Sequence, residues 1–207
     1  MVSMADEIKE LLNREAEAIQ NIPVNGDFQR AVDIIYDSVH VKGGRVIASG
    51  MGKAGQVGDN IATTLSSTGT PSTFMHPAEA QHGDLGMIRE NDVLLVLSNS
   101  GKTREILELI ELTHRLYPQI PVVLITGNPD SELPRLCNAV IFTGNPKEVC
   151  PLGLTPTTST TTMTVIGDVL VVLLMKKIKF SAADYAKRHH GGYLGYKSRN
   201  KANGHED

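Results

Sequence analysis

Four stretches of this sequence gather residue types that do chemistry. GMGKAG, residues 50–55, sets closely spaced glycines around Lys53. The glycines fit GxGxxG, a dinucleotide fingerprint, but that reading needs an acid about 20 residues on to hold a ribose. Residues 70–76 supply none, and the first acid after them is Glu79. A P-loop fails as well, because Gln56 stands where a lysine should follow the last glycine. SNSGKT, residues 98–103, offers the hydroxyls of Ser98, Ser100 and Thr103 beside a glycine. At a helix start these groups and the unpaired backbone N–H donors form a cradle for a phosphate. The same donors serve ordinary capping by Ser100 or Thr103, with Glu105 favouring the helix dipole, and one loop can do both. Hydroxyls and backbone donors suit a monophosphate better than a triphosphate, which needs a metal clamp.

The third stretch, residues 76–86, holds His76, His82, Glu79 and Asp84. It reads equally as a site for a metal or hydroxylated substrate and as a polar loop fixed by Asx-type hydrogen bonds. The fourth runs over residues 145–162 and enters a helix through repeated threonines, which have modest helix propensity. Glu148 lies just upstream, with Pro146 before it and Pro151 and Gly153 after it. That restrained backbone can aim a carboxylate at a substrate. Glu148 has no evident structural task, whereas Glu105 compensates a dipole. Cys150 reads as a small buried thiol, with a nucleophile as the alternative.

The elements that must position these loops follow from periodicity. Helical patterns cover residues 5–20 and 28–40, and apolar runs at 45–50, 70–75, 92–98, 121–126 and 139–142 read as short strands. Helices are expected at 55–67, 104–117, 157–177 and 181–188. Buried strands alternating with helices predict an α/β fold, a doubly wound five-stranded parallel sheet flanked by helices, with ligands beyond the carboxyl ends of the strands. The chain has 207 residues, enough to bury about 70% of its unfolded surface in a single core. Lys and Arg total 20 against 23 Asp and Glu, and there is no Trp. Neither a basic face nor stacking platforms for nucleic acid are therefore expected. Two cysteines are too few for a disulfide framework. The apolar run at 165–175 contains Gly167 and Asp168 and falls short of the ~20 residues that span a bilayer. The amino-terminal segment carries acids and no apolar signal core, so a cytoplasmic protein with no membrane partner is expected.

Taken together, GMGKAGQVGDNIATTLSSTGTPSTFMHPAEAQHGDLGMI, LSNSGKT, TGNPDSEL, EVCPLGLTPTTSTT and AKRHHGGYLG agree in order and spacing with a known pattern. The sequence resembles the sugar isomerase (SIS) domain of arabinose 5-phosphate isomerases from about residue 41 to residue 196. The resemblance implies interconversion of ribulose 5-phosphate and arabinose 5-phosphate, feeding the sugar Kdo of lipopolysaccharide and some capsules. It implies catalytic roles for Lys53, Glu105, Glu148 and His189. Substrate contacts would come from Gly52, Ser98, Asn99, Ser100, Thr103, His82 and Thr157, and His82 is linked to an inhibitory metal. No cofactor is required. The domain would occupy residues 1–198, made of N-terminal helices 5–40, a core 41–177 and a C-terminal helix with the H-x-G-G motif at 178–198. A flexible tail would follow at 199–207. Related domains pack as dimers of dimers, so a homotetramer is expected in which His189 reaches a neighbour's site.

Three departures from the family pattern are visible. Lys102 replaces an acid or small polar residue, and His190 replaces a proline beside His189. The tandem cystathionine-β-synthase-type regulatory domains carried by most members are missing, which predicts a short form without that regulation. Two other readings remain: a non-catalytic phosphosugar sensor, and an isomerase of another sugar phosphate. A sensor has no use for a base, a lysine and a histidine together.

Overall fold

The computed structural model describes residues 2–202. Strands β1 (Val46–Gly50), β3 (Val93–Leu97) and β4 (Val122–Thr126) are buried at every residue, as parallel strands covered on both faces must be. The shorter β2 (Ser72–Phe74) and β5 (Ala139–Phe142) are half-buried edges. All pairings are parallel and the order is β2-β1-β3-β4-β5, so the α/β, doubly wound five-stranded sheet is as expected.

Side chains alternate along each strand and divide the core in two. Ala48, Leu95 and Ile125 point to one face, which is covered by α2 (Gly26–Tyr36), α3 (Gly52–Ser67) and α6 (Thr158–Lys177). Ile47, Leu94 and Leu124 point to the other, covered by α5 (Arg104–Leu116) through Ile106, Leu109 and Ile110. Helix α1 (Met4–Gln20) packs along α6 yet fully buries none of its own residues. By length and composition α6 could cross a membrane, but Met163, Ile166, Leu170 and Leu174 make it a core helix here.

The local differences from the sequence reading have physical causes. Helix α3 starts at Gly52, three residues earlier than expected, because Gly52 takes a left-handed turn (φ 57°) directly off β1. A Cβ on Gly55 would run into the Gly50 carbonyl, so α3 lies close against its own strand. Helix α2 ends at Tyr36 and widens into a π turn over Asp37–Val41. Residues 76–86 are not one loop: they contain the short α4 (Pro77–Ala80) and a 3-10 turn over Asp84–Met87. After α7 (Ala182–Ala186), the H-x-G-G segment runs into α8 (Gly192–Ala202), with Gly195 and Ser198 buried, so residues 198–202, expected to fray, are helical. The tail placed at 199–207 thus begins as helix, and residues 203–207 lie outside the described residues.

The amino ends of β1 and β3 are pinned by one buried carboxylate. Asp92 accepts hydrogen bonds from the Arg45 backbone N–H at 2.8 Å, the Arg45 guanidinium at 3.0 Å and the Arg89 N–H at 2.9 Å. Removing it leaves three donors without their acceptor at a partly buried site. Asp92→Ala should cost about 3 kcal/mol, lowering Tm by roughly 6–12 °C for a chain of this size. Thermal unfolding beside the Asn variant, which keeps one acceptor, checks this; an unchanged Tm would refute it.

Candidate functional site

At the carboxyl ends of the strands, Gly50 of β1 is paired with Leu97 of β3. From this point the chain winds one way to β2 and the other way to β4, so the loops leaving β1 and β3 part and leave a crevice. The crevice is a cavity of about 850 Å³, within the size range of small-ligand pockets. Lys53, Ser98, Asn99, Ser100, Thr103 and Glu148 all line it.

The loop from Ser98 to Thr103 is held from behind. The Thr126 hydroxyl donates to the Ser98 carbonyl at 2.7 Å, and Asn128 Nδ2 donates to the Ser100 carbonyl at 3.1 Å. Gly101 takes a φ of 64°, and a Cβ there would overlap the Ser131 hydroxyl. Thr103 occupies the N-cap position of α5 but makes no side-chain cap bond; its hydroxyl pairs with that of Ser98 at 2.7 Å. Ser100 Oγ accepts from the Lys102 N–H at 3.2 Å instead of from the helix. The capping expected of Ser100 or Thr103 is therefore absent, and the leading α5 amides take no side-chain acceptor among the described residues. The start of α3 is likewise without a side-chain cap, and Lys53 stands in its first turn with Nζ 3.2 Å from Gln56 Oε1.

Helix α6 is the opposite case. Oε2 of Glu148 accepts from the Thr157 N–H at 2.7 Å, the Thr157 hydroxyl at 2.8 Å and the Ser159 N–H at 3.3 Å. Glu148, for which the sequence suggested no structural task, thus closes the amino end of α6. Sequence reading missed this because the acid lies nine residues before the amide it caps. Desolvation pushes its carboxyl pKa up, but the hydrogen bonds from Ser159 and Thr157 outweigh it and hold the group below the ordinary carboxylate range. Oε1 takes no hydrogen bond among the described residues. Thr157, expected to touch substrate, has its hydroxyl committed to Glu148.

Other expected residues lie elsewhere. Gly52 does not line the cavity, although Met51 and Lys53 on either side do. Glu105 is half-buried in the first turn of α5 and does not line it either. His82 is exposed beyond α4, and no group of three His, Cys, Asp or Glu among the described residues could hold a metal. His189 follows α7 with its ring stacked on Tyr185, 3.7 Å between centroids, and Nδ1 3.1 Å from the Tyr185 carbonyl. It too is absent from the cavity of its own chain.

Two lining residues were read differently or missed. Cys150 is half-exposed on the cavity wall rather than buried. Backbone hydrogen bonds from Thr155 and Leu154 bring its thiol pKa down to about 7, whereas burial pushes that of Cys137 up to about 12. Arg14 reaches in from α1, and nothing in a run of helical charges marked it out. Arg14, Lys53 and Lys147 against Glu148 leave the lining net positive, as an anionic ligand requires.

Fold and pocket together define an α/β protein that takes its ligand at a topological switch point. The profile of the SIS domain family matches residues 40–173, and the chain belongs to that family. A protein of Bacteroides fragilis NCTC 9343, described as a candidate phosphosugar isomerase involved in capsule formation, has a similar crystal structure. The TM-score is 0.91 and the identity 57%, covering 92% of this chain and all of that one. The c3406 protein of E. coli CFT073, solved in complex with A5P, superposes with a TM-score of 0.82 at 31% identity, covering 90% of this chain and 98% of that one. Among curated relatives, the arabinose 5-phosphate isomerase KdsD of Salmonella typhi is 44% identical over 191 residues, 91% of this chain. The chain spans 56% of that relative's length.

Gly101 gives a direct handle on the cradle. Gly101→Ala must displace Ser131 and adopt a strained φ, so KM for a phosphosugar should rise about tenfold, the equivalent of ~1.4 kcal/mol, while Tm falls by a few degrees. Steady-state kinetics on the purified variant would show it. An unchanged KM would move the phosphate away from this loop.

Proposed function

We propose that this chain is an aldose–ketose isomerase that interconverts arabinose 5-phosphate and ribulose 5-phosphate through a cis-enediol. The observation that carries the reading is the single cavity shared by a hydroxyl and amide cradle, Lys53 and Glu148. The cradle at Ser98, Asn99, Ser100 and Thr103 takes the phosphate. Glu148 removes the proton from C2 of the open-chain aldose, giving the enediolate; a proton passes from the C2 oxygen to the C1 oxygen, and Glu148 returns its proton to C1 to give the ketose. A carboxylate can serve adjacent carbons in this way, and it needs only one oxygen to do so. Oε2 is engaged in capping α6, so the free Oε1 is the proton carrier. Lys53 stabilises the negative charge that develops on the enediol oxygen. The names of the curated relatives and of the neighbour solved with A5P support the choice of substrate. We assign the enzyme to the cytoplasm, supplying Kdo synthesis for lipopolysaccharide or capsule.

His189 is proposed to open the sugar ring in the cavity of an adjoining subunit of a homotetramer, since it stands off the cavity of its own chain. The exposed Met4, Ile8, Leu11 and Leu12 of α1 supply apolar surface for such packing. Glu105 retains a role in shaping the start of α5, and a metal at His82 would need ligands from outside the described residues.

Glu148→Gln keeps an acceptor for α6 and removes the base, so kcat should fall by ~10²–10⁴ with KM little changed. A variant that still exchanges the substrate C–H with deuterated water at the parent rate would move the base elsewhere, with Glu105 next. Because the folded carboxyl is held below its unfolded value, its contribution to stability is complete above the unfolded pKa. It is lost as pH falls through the folded pKa. The acid limb of kcat/KM due to Glu148 should accordingly lie below the ordinary carboxylate range. A limb near pH 6 would have to be assigned to another group. For the assembly, inactive His189→Ala and Glu148→Gln subunits mixed under exchange conditions should regain activity. No recovery despite demonstrated exchange would make each subunit's site self-contained.

A further inference from the structure

Helix α1 lies outside residues 40–173 matched by the family profile, yet two consecutive residues on it hold the loop that carries Glu148, Arg14 directly and Glu15 through Thr158 of α6. Arg14 Nη2 donates to the Glu148 backbone carbonyl at 3.0 Å. The next amide, the N–H of Val149, donates to the Thr158 hydroxyl at 3.0 Å. Thr158 is buried, and its hydroxyl is 2.9 Å from Glu15 Oε1. A hydroxyl has one proton, and Glu15 is the acceptor that proton reaches; the lone pairs stay turned toward Val149. Both poles of the single peptide unit between Glu148 and Val149 are therefore held from α1, the oxygen by Arg14 and the N–H by Glu15 through Thr158. The second oxygen of Glu15, Oε2, is enclosed and has no partner among the described residues. A buried unpaired carboxylate oxygen is costly and calls for a reason.

We propose that Arg14 and Glu15 are positioning residues that fix the Glu148–Val149 peptide plane and so set the direction in which the Glu148 carboxylate meets the substrate. The proposal rests on the isomerase reading of the site. Capping by Thr157 and Ser159 holds Oε2, but a carboxylate fixed at one oxygen can still swing about that point. The clamp on its own peptide fixes the backbone from which the side chain leaves and so narrows that swing. Displacement of a reacting group by about 1 Å can cost a rate factor of order 10².

The test uses the full chain and two readouts. Arg14→Ala and Glu15→Ala should each lower kcat for arabinose 5-phosphate at least tenfold with KM within twofold, and Arg14→Lys, which still donates to the carbonyl, should restore most of it. In parallel, hydrogen exchange at the Val149 amide in ¹⁵N-valine-labelled protein should speed up at least tenfold in Glu15→Ala. A parental kcat in both alanine variants would overturn the proposal. So would a rise in KM at constant kcat, which would make Arg14 a ligand contact, or an unchanged Val149 exchange rate. If Glu15→Ala fails to fold, Glu15→Gln and Arg14→Ala carry the same comparison. A parent protein that turns over no sugar phosphate would sink the isomerase reading instead, and the exchange rates would still decide whether α1 clamps the peptide.

Discussion

The carboxylate of Glu148 at the amino end of α6 is the contact on which the site depends. A 20-residue helix that is apolar over most of its length has its place fixed by the core, but its first turn must still satisfy its amides. Drawing Glu148 onto those amides folds the Pro- and Gly-rich segment from residue 145 back over the strand ends and closes one wall of the cavity. The same hydrogen bonds keep the carboxyl ionised despite its partial burial. On the proposed reading, structure and chemistry share this one group, each using a different oxygen.

The three helices around the cavity differ at their amino ends. Helices α3 and α5 present amino ends without side-chain caps, while the amino end of α6 is occupied from within the chain. Two positive helix ends left open and one neutralised give a field that is directional. On the proposed reading, this field favours an anionic ester on the β1 and β3 side of the cavity.

Most of this frame was legible in the sequence because burial leaves a mark. Strands β1, β3 and β4 are covered on both faces and read as unbroken apolar runs, and glycines at 50, 52 and 101 mark where the backbone must turn sharply or approach closely. The position of the loop from Ser98 to Thr103 was legible for the same reason, since it leaves the end of β3. What escaped depends on contacts distant in sequence or on weak periodicity. The bond from Arg14 to Glu148 spans 134 positions, and a surface helix gives no sign of which of its charges has a partner. Helix α8 is polar and lacks a clear stripe, so its last residues, 198–202, read as a frayed end. Cys150 was judged by the habits of its residue type, and its thiol is set instead by the amides of a tight turn.

The two ends of the central strands carry different burdens. At the amino ends, Asp92 ties β1 to β3 through Arg45 and closes its own turn through the Arg89 amide; at the carboxyl ends, the same strands release the loops that form the cavity. Five residues of strand stand between, roughly 17 Å of closely packed sheet. Changes to the loops can therefore accumulate without loosening the lock beneath them. A scaffold so divided separates the lock of the sheet from the rim that meets a ligand, so exposed loop positions not tied to the fold, unlike Gly101 and Glu148, can vary without touching that lock.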